Sequence, residues 1–76
     1  MKSLIIAIAR ELVDKPEKVS VVEVEGEQTR VLVLRVAQSD LGKIIGKHGQ
    51  IVNSIRTILR AVSTEEKKRV VLEVVE

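Results

Sequence analysis

Apolar residues along the chain fall into blocks whose spacing changes from helical to extended and back again. Leu4, Ile5, Ile8 and Leu12 share one face at helical spacing, with Ser3 placed as the cap. That helix is expected to run to about Asp14, since Pro16 disfavours helical geometry at Lys15. Ile6 falls off the stripe and is expected to be exposed or to meet a partner. Residues 19–25 read as a strand, in which Val22 and Val24 alternate with Glu23 and Glu25. Gly26 marks a turn. The second strand, over 29–36, holds the near-continuous Val31-Leu32-Val33-Leu34, which suits a central strand covered on both faces.

Gln38-Ser39-Asp40 looks like the cap of a very short helix carrying Leu41, Ile44 and Ile45. Gly46-Lys47-His48-Gly49 interrupts it. A longer helix follows, with Ile51, Val52, Ile55, Ile58, Leu59 and Val62 on one face. The charged run 65–68 reads as a loop, and 69–75 as a last strand rich in Val. The order is αββααβ, an α+β pattern without linker or repeat.

Two strands joined by a helical connection imply a right-handed parallel crossover. The second strand should then lie between the other two in a mixed three-stranded sheet, with three helices on one face. Val22, Val24, Leu32, Leu34, Val36, Val70, Leu72 and Val74 are expected under the helices. Val21, Val31, Val33, Val71 and Val75 are expected on the open face, among Glu23, Arg35 and Glu73. Such a patch is larger than a lone monomer usually displays.

Composition narrows the function. Seventy-six residues make one domain, 1–76, and 14 Val, 8 Ile and 7 Leu give it an aliphatic core. Phe, Tyr and Trp are absent, so platforms that stack bases on aromatic rings are excluded. Without Cys there are no disulfides, thiolate zinc sites or Cys nucleophiles, and one His cannot build a multi-histidine metal centre. No cofactor is implied. The net charge is only +2, but it is unevenly placed. Residues 17–27 hold four acids against Lys18, whereas 41–64 hold Lys43, Lys47, Arg56 and Arg60 and no acid. A local basic stretch points to an anionic partner. The apolar run 4–9 is too short for a signal-peptide core or a membrane span, so a cytoplasmic protein is expected.

Catalysis finds little support. His48 has no nearby carboxylate to orient it, and Gly42 to His48 misses the Walker A pattern in both glycine spacing and the Ser or Thr after Lys. The tetrad Gly46-Lys47-His48-Gly49 is more informative because it joins two amphipathic helices. Gly46 can take a left-handed conformation that ends the first helix. Gly49 lets a ligand backbone approach main-chain N–H groups where the next helix begins, and that helix end favours phosphate. Lys47 supplies charge and His48 a donor. Lys43, one turn earlier, could flank the same backbone. Asn53 and Arg56 either reach bases and sugar or form a solvated face. Ile44, Ile45 and Val52 read as core, with Ile45 the one also assigned to the groove.

Ile44-Ile45-Gly46-Lys47-His48-Gly49-Gln50-Ile51-Val52 resembles the signature of KH domains, in which a GxxG loop clamps a nucleic-acid backbone. The αββααβ order resembles the type II form. The whole chain is similar to the small bacterial KhpA (YlqC-like) family, through Asp14-Lys15-Pro16, Glu25-Gly26-Glu27-Gln28, Leu41 to Gly49 and Lys68-Arg69-Val70-Val71. Val52 replaces the usual Ile, and Glu65-Glu66-Lys67 replaces a Gly-containing loop. The resemblance implies binding of about four nucleotides of single-stranded RNA, with Lys43, Ile45, Gly46, Lys47, His48, Gly49, Gln50, Asn53 and Arg56 as candidate contacts. It also implies an RNA chaperone or post-transcriptional regulator, and a homodimer or a heterodimer with a larger KH-containing protein of the KhpB (Jag/EloR-like) type. The valine face and Ile6 motivate an alternative: a protein-interaction adaptor that uses the scaffold chiefly to pair.

Overall fold

A computed structural model describes residues 2–76. In chain order the elements are α1 (Lys2–Leu12), β1 (Ser20–Glu25), β2 (Thr29–Arg35), α2 (Leu41–Ile45), α3 (Gln50–Glu66) and β3 (Arg69–Val75). The sheet runs β1-β2-β3, with β1 antiparallel and β3 parallel to the central β2. The three helices cover one face: α1 lies on β1 and β2, α3 on β3, and α2 touches both helices. This is the expected α+β arrangement.

The buried cluster is entirely aliphatic. Leu32 and Leu34 of the central strand and Ile44 of α2 are completely enclosed, beneath Ile5 and Ala9 of α1 and Val52, Ile55 and Leu59 of α3. Each of these side chains apart from Ala9 contributes about 1.5–3 kcal/mol of transfer free energy. Without rings to fill space, the core relies on branched side chains from every element at once.

The strand β1 faces the opposite way to the expectation. Val21 stands across from Leu34 under the helices, whereas Val22 and Val24 stand across from Val33 and Val31 on the open face. Val21 is buried, while Val22 and Val24 are each 57% exposed. Helix α1 reaches only the start of β1, so the inward positions beyond it hold Glu23 and Glu25. Arg30 ties those two acids to Glu66 of α3, at 3.5, 2.5 and 2.6 Å. Lys68 adds a further bridge to Glu25 at 3.1 Å. The open face therefore carries Val22, Val24, Val31, Val33, Val71 and Val75. The central strand is covered on one side only, not on both.

Smaller differences share one origin, long-range packing. The buried stripe of α1 is centred on Ile5 and Ala9 and extends to Val13, which takes in Ile6 and leaves Leu4 exposed. Ser3 lies within the first turn instead of capping it, and α1 stops at Leu12. The segment 65–66 stays helical because Glu is a good helix former. Lys67 then ends α3 in the left-handed region, φ 57°, and the Lys68 N–H returns to the Ser63 carbonyl at 3.2 Å. On α3 the exception is Ile58, which is 46% exposed instead of buried. Among the described residues no helix is long and apolar enough to cross a membrane.

Candidate nucleic-acid interface

The loop between α2 and α3 owes its shape to residues that tolerate positive φ. Gly46 has φ 77° and ψ 173°, a region almost restricted to glycine rather than the left-handed helical one expected for it. Its N–H closes α2 on the Gly42 carbonyl at 2.8 Å. His48 (φ 56°) and Gly49 (φ 75°) are both left-handed, and α3 begins at Gln50. The Gly49 N–H bonds back to the Gly46 carbonyl at 3.1 Å, so the tetrad forms a closed turn. No side chain caps α3. The Gln50 N–H returns to the Lys47 carbonyl, and the N–H groups after it, without a side-chain cap, sit at the positive end of the helix dipole where an anion is favoured.

Lys47 and His48 are exposed at the tip of this turn, and Gln50 and Asn53 are exposed on the first turn of α3. A Cβ built on Gly49 would meet only the Asn53 Nδ2, at 3.5 Å, so space is open there for an incoming backbone. Ile45 is 40% exposed at the end of α2, outside the core to which the sequence assigned it, while Ile44 and Val52 are buried as expected. Gly46, Lys47, His48, Gly49, Gln50 and Asn53 thus form one connected surface with Ile45 beside it.

Arg56 lies farther along α3. Its Nη2 donates to the Leu72 carbonyl at 3.4 Å, which shows that Leu72 presents its main-chain groups to the free edge of β3. Between α3 and that edge runs a groove of about 560 Å³. Its floor is Leu59, Val70 and Leu72; its walls carry Arg56, Arg60, Lys67, Lys68 and Arg69 and no acid. The Val70 N–H on the same edge is satisfied by the Ser63 Oγ at 2.8 Å. The sequence places Arg60 in the basic stretch but not among the candidate contacts, and it reads 65–68 as a charged loop and Arg69 as the start of a strand. Arg60 lies in the acid-free stretch 41–64, but Lys67, Lys68 and Arg69 directly follow Glu65 and Glu66 in the chain, and only the fold of β3 against α3 gathers the four.

Lys43 is drawn elsewhere. It is two residues from Ile45, about 200° around a helix, and so projects from the opposite side of α2. Its ammonium pairs with Asp14 and lies 3.6 Å from Asp40. Asp40 was expected to cap the short helix, yet it makes no capping bond. Only 1% exposed, it accepts the N–H groups of Asp14 at 3.2 Å and Lys15 at 3.0 Å, fastening the α1–β1 connection to α2. Burial alone would raise the Asp40 pKa; these two donors and the Lys43 charge outweigh it and hold the carboxyl below its ordinary value. The bond to Asp14, aided by Asp40, raises the Lys43 pKa against a smaller loss from burial.

The sequence profile described as "KhpA/KhpB, KH domain" matches residues 2–74. The chain belongs to the KhpA/KhpB KH-domain family. It is 51% identical over 75 residues to the RNA-binding protein KhpA of Clostridium acetobutylicum, covering 99% of this chain and 100% of the relative. It is 49% identical over 75 residues to the protein of that name from Clostridium perfringens, with the same coverage. Against the KhpA of Aquifex aeolicus it is 50% identical over 76 residues, 100% of this chain and 96% of the relative. No solved structure matches the chain. The KhpA/KhpB family is not enzymatic.

Proposed function

We propose that this chain, as a single KH domain over 1–76, binds single-stranded RNA and serves as an RNA chaperone or post-transcriptional regulator in the cytoplasm. The observation that carries this is the Gly46–Gly49 turn, where two exposed polar side chains precede an uncapped helix start with room for a backbone at Gly49. The relatives named RNA-binding protein support it. The turn holds a phosphate through main-chain N–H groups and Lys47. About four nucleotides then extend past Ile45, Asn53 and Arg56, a length common to KH grooves. With no aromatic ring in the chain, bases rest on aliphatic floor and hydrogen bonds, so phosphate contacts supply a large share of the affinity. Lys43 contributes by fixing α2 through its ion pairs, not by touching RNA. Pairing with a larger KH-containing protein of the KhpB type belongs to the same proposal, and the exposed Val22 and Val24 of the sheet leave apolar surface for a partner.

The double substitution Lys47→Asp, His48→Asp tests it. Both side chains are exposed, so circular dichroism should be unchanged while filter binding to a short single-stranded RNA is lost. Wild-type affinity in the folded variant would refute the assignment of the turn.

A further inference from the structure

Asn53, Arg56, Arg60 and Ser63 follow one another along α3 at spacings of three, four and three. They therefore share an arc of about 80° on one side of the helix. Gly49 stands one turn before this stripe and Lys67 one turn after it. Arg56, Arg60, Ser63 and Lys67 all line the groove against the free edge of β3, so the stripe is a continuation of the Gly46–Gly49 turn and not a separate patch. Glu65 falls with Ile58 about 140–160° around the helix from Arg60, on its opposite side. Glu66 is engaged by Arg30 at 2.6 Å. Arg60 and Lys67 are exposed, and neither takes part in an ion pair among the described residues.

We propose that single-stranded RNA follows this stripe past the four nucleotides assigned to the turn, and that Arg60 and Lys67 hold two further phosphates. The inference rests on the RNA reading of the turn and extends it. At 1.5 Å per residue, Arg56 lies about 10 Å from Gly49 along the helix and Lys67 about 27 Å. Four nucleotides serve the first stretch, from the turn to Arg56. The second stretch, from Arg56 to Lys67, is at least as long, so the strand in contact grows to about eight nucleotides. Its chemistry repeats that of the first: cations on the helix side, and Val70 and Leu72 as aliphatic floor on the strand side. The track also has an end. Lys68 is already held by Glu25 at 3.1 Å, and beyond it Glu23, Glu25 and Glu66 surround Arg30. Three carboxylates at that point turn a phosphate backbone away.

Filter binding of a tetramer and an octamer of uniform single-stranded RNA, each across a salt series, reads how many phosphates the full chain holds. An octamer gains affinity merely by offering several registers, but registers leave the salt slope as it was. The slope is therefore the deciding quantity. The tetramer, held by Lys47 and Arg56, should give about −1.4, and the octamer about −2.8. Arg60→Gln combined with Lys67→Gln should leave circular dichroism and the tetramer slope unchanged, and should return the octamer slope to about −1.4. Equal slopes for the two lengths in wild type overturn the extension and leave the four-nucleotide reading standing. So does a steeper octamer slope that the double substitution does not alter. Loss of tetramer binding in the folded double variant also overturns it, because the two cations would then belong to the first four nucleotides. Failure of wild type to bind either length overturns the extension together with the RNA reading beneath it.

Discussion

Gly46 backs directly onto Ile51: a Cβ on the glycine would lie 2.6 Å from the Ile51 Cγ1. The turn is therefore fixed twice, by a backbone conformation almost restricted to glycine and by the first residues of α3 packed against it. Gly49 differs, since its nearest neighbour would be an ordinary 3.5 Å contact. Gly46→Ala should destabilise the fold by about 2–4 kcal/mol, from strain and overpacking together. Gly49→Ala should cost only about 1 kcal/mol, the ordinary penalty of left-handed backbone for Ala. Urea unfolding separates the two, and the order Gly46 worse than Gly49 is the expected result. In the folded Gly49→Ala protein, RNA affinity should still fall several-fold, because the new methyl group occupies the space left for the ligand backbone.

Stability should hold steady across neutral pH and fall at both ends. The folded Asp40 carboxyl lies below its ordinary value of 3.8, so the unfolded chain takes up the proton more readily. Its stabilisation is complete above that value and is lost as pH drops through the folded one. Glu25 shifts in the same direction, through Arg30 and then Lys68. Lys43 lies above its ordinary 10.5, so its share is complete below that and is lost as pH rises through the folded value. Urea midpoints measured from pH 2 to 11 check both limbs. Asp40→Asn should lower the neutral plateau and flatten the acid limb, whereas an unchanged acid limb would remove Asp40 from this role.

The six elements could be read from the chain because aliphatic periodicity changes cleanly at Pro16, Gly26 and the Gly46–Gly49 tetrad. The face presented by β1 could not. Alternation groups Val22 with Val24, but only the packing of α1 decides whether that pair or Val21 turns inward. The Gly46–Gly49 turn was visible as two glycines between amphipathic helices, and its exposed tip follows from the left-handed His48. Asp40 was out of reach, since its partners Asp14 and Lys15 are 26 and 25 residues away. The same distant contact pairs Lys43 with Asp14 and Asp40, which its position in sequence did not show.

Salt dependence follows from which cations are free. Lys47 and Arg56 as the two phosphate contacts give a slope of log affinity against log salt of about −1.4 for a single strand. Lys43→Met should leave that slope unchanged, because Asp14 and Asp40 already hold the ammonium. Lys47→Met should reduce it by about 0.7. Filter binding across a salt series measures both. A change of similar size on removing Lys43 would return that residue to the interface.

The central claim, that the α2–α3 turn grips RNA backbone, is tested most directly by titrating the 15N-labelled chain with a single-stranded RNA tetramer and following each amide. The largest shifts should appear at Gly46 to Val52, with a second group at Arg56 and Leu72. Shifts confined to Val22, Val24 and Val31 on the open sheet, or none at saturating RNA, would contradict it.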